Sequence, residues 1–345
     1  MVKVSCLLLI ITTIKGVINM NIKKIGMTAL AASLVSVSAY AGEMSVSGGA
    51  SMNTEGYSGE NLNGGTTFSM GNQLTFSGSG ELDNGLNVSL SFVLDQGDNE
   101  TDKEAGASEA PFDSHSVTVS SDTMGTLTLA GEGGSSATSS IDGTAAGDIW
   151  DTFDGTRGTA IAVAVSAGGG VDNNLFYTLP SVMDGLSVFA NYNPQGSRRE
   201  SSTGFGFTYT GVEGLTASYA VADEVGTTTA LSGDQTAYKL SYAYGPITAS
   251  MSNTDFDVGT ASSDQETSSY AVSYTVSDEL SLTYGAETIE KGGSNTDAEY
   301  SAISASYTAG GMTISASMKD AENVDHSTNS SADFEYWSLG ASFAF

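Results

Sequence analysis

The sequence predicts an all-β fold: a transmembrane antiparallel β-barrel of about sixteen strands. Three observations carry that reading. Past residue 42, apolar and small polar residues alternate again and again, with almost no helical periodicity. The connections between the alternating runs are short and long in strict turn. The chain then ends on a clean strand, FEYWSLGASFAF, in which Trp337, Leu339, Ala341, Phe343 and Phe345 share one face. Chain ends are ordinarily frayed and polar, so an end of this kind must be tied to something.

The segment before the strands is set aside first. Residues 20–41, MNIKKIGMTALAASLVSVSAYA, place Lys23 and Lys24 before an apolar run from Ile25 to Ser38, then Ala39-Tyr40-Ala41. This is the layout of a secretory signal peptide cut near Ala41, and the run is too short for a membrane anchor. Residues 1–19 put a second apolar run, Leu7 to Ile14, ahead of a complete signal; they read as an upstream extension, with Met20 the true start. Cys6 is the only cysteine and leaves with the leader, so disulfides do not hold the exported chain. Residues 42–345 then form one domain.

The formal net charge is −29, from 11 basic and 40 acidic residues. That balance argues against nucleic-acid binding, which needs a basic face. It fits a solvated, repelling surface or a field that draws cations in. No run beyond the leader is long and apolar enough for a membrane helix.

Strands are expected near 43–53, 72–82, 86–95, 114–121, 125–131, 173–179, 186–193, 203–210, 215–222, 236–244, 247–254, 267–276, 279–287, 299–307, 312–320 and 333–345. Residues 159–167 belong either to the sixth strand or to the loop before it. Val88-Leu90-Phe92-Leu94 and Tyr238-Leu240-Tyr242-Tyr244 are representative apolar faces, with mostly Ser, Thr, Ala and Gly between such residues. Asp83-Asn84-Gly85, Tyr244-Gly245-Pro246 and Ser277-Asp278-Glu279 are among seven short turns. Eight longer connections are acidic and rich in Gly and Ser.

A soluble sandwich has no reason to put all its long loops at one end. An outer-membrane barrel does. Lipid offers no hydrogen bonds to the backbone, so the sheet must close on itself, and the last strand must pair with the first. Tyrosines fit two interfacial girdles: Tyr209, Tyr244, Tyr274 and Tyr307 near the short turns, Tyr238, Tyr270, Tyr284 and Tyr300 nearer the long loops. Tyrosine is also simply a good strand residue.

The signal ending AYA, the stretch NQLTFSGSGELDNGLNVSLSFVLD (72–95) and the terminal FEYWSLGASFAF together resemble the sixteen-stranded general porins of Gram-negative outer membranes, in their alphaproteobacterial branch. The resemblance covers the whole chain after the leader. It implies that Phe345 and Phe343 are read by the barrel-assembly machinery, that the protein is a homotrimer, and that the long third outer loop folds into the pore as a constriction.

That loop, about 132–172, is the longest. Its second half sets Ile149, Trp150 and Phe153 among Asp148, Asp151 and Asp154, with Asp142 and Arg157 to either side. In an inward loop the apolar residues pin it to the wall and the acids line the narrowest point; an outward, solvated acidic loop is the alternative. Alternation turns Glu81, Asp95, Lys239, Glu287 and Lys319 toward the lumen. Family pores set loop acids against wall arginines. Here Arg157, Arg198 and Arg199 are the only arginines, and none lies in a clear strand. Excess acid in a pore favours cations.

No catalytic constellation stands out. His115 and His326 have no motif around them, and no nucleophile-elbow, zincin, Walker or dinucleotide fingerprint occurs after the leader. The chain is therefore not expected to be an enzyme or to hold a cofactor or metal. Asp148, Asp151 and Asp154, or Asp95, Asp98 and Asp102, offer oxygens to calcium but lack the EF-hand spacing. Divalent ions bridging the acidic loops to lipopolysaccharide are a further expectation. The function expected is passive diffusion of small hydrophilic solutes and ions through a cation-preferring pore in the outer membrane. A substrate-selective channel of the same fold is the alternative, then a secreted acidic β-solenoid.

Overall fold

Each alternating run forms a strand in the computed structural model, which describes residues 43–59, 65–95, 112–141, 143–154, 172–196, 200–224, 232–258 and 264–345. The leader readings, Asp98, Asp102, Asp142, residues 159–167 and the three arginines lie outside the described residues. The strands are β1 (Glu43–Gly59), β2 (Thr66–Glu81), β3 (Asn87–Asp95), β4 (Phe112–Ser121), β5 (Gly125–Glu132), β6 (Asn174–Thr178), β7 (Leu186–Asn193) and β8 (Ser202–Tyr209). They continue as β9 (Leu215–Glu224), β10 (Gly233–Tyr244), β11 (Ile247–Asp257), β12 (Gln265–Thr275), β13 (Leu280–Lys291), β14 (Ala298–Ala309), β15 (Met312–Glu322) and β16 (Phe334–Ala344).

Each strand pairs antiparallel with its chain neighbours, and β1 pairs with β16, so the sheet closes. Closure excludes the solenoid. The seam runs from Gly59↔Phe334 to Gly49↔Ala344. It continues into the last residue: the Gly48 N–H donates to the Phe345 carbonyl at 2.8 Å, and the Phe345 N–H to the Gly48 carbonyl at 3.0 Å. That pairing explains why the chain finishes on a strand.

Several strands reach further outward than the alternation indicates. β1 runs to Gly59 rather than residue 53, β2 starts at Thr66 rather than 72, and β13 runs to Lys291 rather than 287. The added residues mix polar ones, such as Asp255, Asp257 and Glu290, with apolar ones, such as Phe68, Met70 and Ile289. With glycines and charges among them, these stretches read as loop.

The third loop makes side-chain hydrogen bonds with β1, β7, β10, β11, β12, β13 and β15. Strands so far apart around a closed barrel are reached together only from inside it. This sets the parity of the whole wall. Tyr238, Leu240, Tyr242 and Tyr244 face outward and are exposed, as are Tyr270, Val272 and Tyr274. Tyr300 is a correction to the girdle: its register opposite Glu287 turns it inward, and it is buried against Phe153, ring centroids 6.0 Å apart. Tyr57 and Tyr336 also face inward, 4.8 Å apart between ring centroids. All the other tyrosines on strands face outward, on β6 to β14.

At the seam, a Cβ on Gly48 would stand 2.7 Å from the Phe345 ring, whereas one on Gly49 would meet nothing closer than 3.7 Å. Gly48→Val is expected to displace the terminal ring at a cost of roughly 1–3 kcal/mol, and to lower the heat-modifiable, folded fraction on semi-native gels. Gly49→Ala should leave that fraction unchanged; equal behaviour of the two variants would refute this account of the seam.

Candidate functional site

The third loop enters the barrel after β5 and forms two 3-10 turns, Ser139–Ile141 and Ile149–Phe153. Its first turn docks by polar and apolar contacts together. The Ala137 N–H donates to Asn191 Oδ1 at 2.8 Å, the Thr138 hydroxyl to Gln235 Oε1 at 2.6 Å, and Asn174 Nδ2 to the Ser135 carbonyl at 2.6 Å. Ala137 and Ile141 pack on Phe189, Ala220 and Ala237, with Phe176 alongside. These wall residues face inward because their strands alternate, and the small ones leave room for the loop.

The middle of the loop passes along β11 to β13. The Ala145 N–H donates to Ser252 Oγ at 2.7 Å and the Ala146 N–H to Ser269 Oγ at 2.9 Å. Gly285 allows the close approach, since a Cβ there would stand 2.7 Å from the Ala146 methyl. Glu287 is the central anchor. It is 2 % exposed, accepts from the Thr144 hydroxyl, and accepts from the Trp150 N–H at 3.1 Å. A buried carboxylate needs such partners, because leaving its oxygens unpaired costs several kcal/mol on the order of magnitude of ion desolvation.

The second turn docks into an apolar niche. Ile149, Trp150 and Phe153 are buried against Ile289, Ala298, Tyr300, Ala321 and Phe334, with Val324 of the last outer loop beside them. Among the described residues, the Trp150 indole N–H and the Tyr300 hydroxyl are buried there with no hydrogen-bond partner, a cost that the apolar contact must exceed. At the far end, the Tyr57 hydroxyl donates to the Thr152 carbonyl at 3.0 Å, and Lys319 Nζ donates to the Thr152 hydroxyl.

The acids singled out in the sequence have different situations. Asp148 is turned back into the loop. Its Oδ1 accepts from the Thr144 N–H at 3.0 Å, and its own N–H donates to Thr144 Oγ1 at 2.8 Å, with φ at 51°. It therefore shapes the turn. Asp151 is exposed and Asp154 half-buried. Glu287 faces inward, as alternation indicates, but is sealed under the loop rather than open to the lumen.

The described part of the loop, through Asp154, follows the wall from β7 round to β15 and reaches Tyr57 on β1; β16 and β1 to β6 make up the rest of the ring. Among the described side chains, the inward charges on those strands are Glu55, Glu81 and Asp95, all acidic. The Tyr336 hydroxyl donates to Glu55 Oε2 at 2.6 Å. The inward lysines, Lys239, Lys291 and Lys319, stand on β10, β13 and β15, on the loop's own side. Lys239 Nζ donates to the Thr144 carbonyl at 3.5 Å, and Lys319 lies 5.6 Å from the centroid of the Tyr336 ring. Among the described residues, no three His, Cys, Asp or Glu side chains gather as a metal site.

Below the loop, toward the short turns, the lumen is lined largely by hydroxyls. Glu81, at the inner end of β2, is the one inward charge there among the described side chains. Five cross-strand pairs of hydroxyl oxygens stand 2.8–2.9 Å apart: Thr118–Thr128, Thr208–Ser218, Ser273–Thr283, Thr308–Thr313 and Ser317–Ser338.

The wall anchors Asn191, Gln235, Ser252, Ser269 and Tyr57 were not legible in the sequence. They are ordinary strand residues, 54 to 123 positions from the loop atoms they hold. Alternation assigned Lys239, Glu287 and Lys319 to the inward face, but not their loop partners.

Glu287→Ala removes the acceptor for both Thr144 and Trp150. The expected result is a loss of roughly 2–5 kcal/mol of stability and a noisier open-channel current, as the loop fluctuates against its niche. Thermal unfolding together with single-channel recording checks this; a quiet channel of unaltered conductance would show that Glu287 does not position the loop.

A family model described as Gram-negative porin matches residues 26–307. No curated protein sequence matches the chain. Among solved structures, the anion-selective porin from Comamonas acidovorans is similar at a TM-score of 0.65 and 15% identity, over 88% of this chain and 100% of that one. OmpF of Salmonella typhi, in complex with daunomycin, is similar at 0.68 and 12% identity, over 88% and 98%. OmpT of Vibrio cholerae, lacking its loop L8, is similar at 0.62 and 16% identity, over 88% and 100%.

Proposed function

Because the chain belongs to the Gram-negative porin family and so forms a passive channel of the outer membrane, we propose that it is a cation-preferring general diffusion pore narrowed by its third loop. The observation that carries this reading is the placement of charge around the opening. Asp151 and Asp154 stand on the loop side, while Glu55 and Asp95 stand on the wall across from it. Among the described residues, the inward lysines are on the loop's own side, and Lys239 and Lys319 donate to the loop. A ring of carboxylates stabilises cations in the constriction and raises the barrier to anions. The likeness to an anion-selective porin, at 15% identity, concerns the fold and carries no argument on selectivity.

Inward aromatics do not favour a substrate-selective channel. Among the described residues, Phe189, Tyr300 and Phe334 are buried at the loop's docking surfaces, and the Tyr57–Tyr336 pair is bonded to Thr152 and Glu55, so together they offer no continuous track for a solute.

We also propose a homotrimer that meets through the outward face of β1 to β5. That face presents Met52, Met70, Leu90, Val117 and Leu129, whereas the outward tyrosines occupy β6 to β14. A tyrosine girdle anchors a wall to lipid headgroups and has no role where another subunit replaces lipid. Phe345 and Phe343, both outward, are offered to the assembly machinery. The outward carboxylates at the outer ends of the later strands, among them Asp255, Glu266 and Glu290, meet lipopolysaccharide through divalent ions.

In planar bilayers under a KCl gradient, the reversal potential is expected on the cation side. It should move toward zero in an Asp151→Asn/Asp154→Asn variant, and weaken between 0.1 M and 1 M salt as the screening length falls from about 10 Å to about 3 Å. An anion-side potential would overturn the charge assignment. On semi-native gels the unheated protein should run as a trimer that heating converts to monomer; a monomer in both lanes would refute the assembly.

A further inference from the structure

The charge filter and the hydroxyl-lined wall occupy different depths of the lumen. The described wall below the loop carries almost no inward charge, although the whole chain has a net charge of −29. Hydrophilicity there comes from neutral Ser and Thr side chains that the strand period turns inward.

The hydroxyl pairs have a definite hydrogen-bonding capacity. Two hydroxyls contain two donors and four lone pairs. The bond within a pair uses one donor and one lone pair, leaving one donor and three acceptors for the lumen. Neighbouring hydroxyls on a sugar or polyol offer the same combination. Such a solute exchanges its water for a wall pair without leaving a polar group unpaired, and with the ordered water released the exchange is favourable by about one net hydrogen bond. An ion finds no fixed counter-charge at this depth. The hydroxyls of Thr118, Thr128, Thr208, Ser218, Ser273 and Thr283 are only half-buried, on strands spread round the wall. The pairs therefore form a distributed surface rather than one binding site.

We propose that this lower lumen is a weak recognition wall for neutral polyhydroxylated solutes, sugars and polyols, lying beneath the charge filter. The proposal rests on the channel reading above and names the solute class that the channel favours.

The test compares proteoliposome swelling in glucose with swelling in triglycine, a solute of similar size without hydroxyls, in the full-length mature protein. The variant carries Thr118→Val, Thr128→Val, Thr208→Val, Ser218→Ala, Ser273→Ala and Thr283→Val. The glucose-to-triglycine rate ratio is expected to fall about five-fold, the worth of one net hydrogen bond. The KCl reversal potential should stay where it is in the unaltered protein, because no charge has changed. If the sixfold variant gives no heat-modifiable band, the Thr118→Val/Thr128→Val pair alone is measured, with a smaller fall expected in the same ratio. An unchanged ratio in a variant that conducts KCl normally would overturn the proposal. Absence of KCl conductance in the unaltered, folded protein would overturn the channel reading instead.

Discussion

Everything in this molecule depends on the backbone having no water to bond with inside a membrane. Each N–H and C=O at that depth must find a partner in the chain, and for a sheet that means closure. The β1–β16 seam supplies it, down to the two hydrogen bonds between Gly48 and Phe345. Closure then dictates parity. Once the wall is a ring, each side chain faces either lipid or lumen, and a shift of one residue in any pair would exchange the two faces.

The lumen is filled unevenly as a result. Its outer half on the β7 to β15 side receives the third loop, which polar anchors and two apolar niches hold together. Neither kind of contact suffices alone. Burial of Ile149, Trp150 and Phe153 provides the driving force. Glu287, Asn191, Gln235, Ser252 and Ser269 accept hydrogen bonds from the loop and so fix where it lies. A loop of this length without such anchors would be a mobile segment.

Charge is segregated by the same geometry. Carboxylates concentrate at the outer ends of the strands and along the opening, while the wall below is hydroxyl-lined. The three described lysines on strands point inward but lie on the loop's side, where Lys239 and Lys319 donate to the loop. A chain of strongly negative formal charge thus keeps much of that charge off the inner part of its own channel. Fixed charge and neutral hydroxyls then line the described lumen at different depths.

The sequence by itself determined the strand number, the order of short and long connections, the closing role of the last strand and the inward face of Lys239, Glu287 and Lys319. These follow from a period of two and from turn chemistry, which are local properties of the chain. It did not determine that Tyr300 is an inward docking residue, that Asp148 shapes a turn instead of lining the pore, or that Glu287 lies sealed under the loop. Nor did it determine the outer ends of β1, β2 and β13, where glycines and charges lie among the apolar residues of a strand. The wall anchors were equally silent, since a serine that holds a loop is written like any other serine on a strand. Only the tertiary structure decided these points, because each depends on which residues the closed sheet brings opposite a loop that returns into its interior.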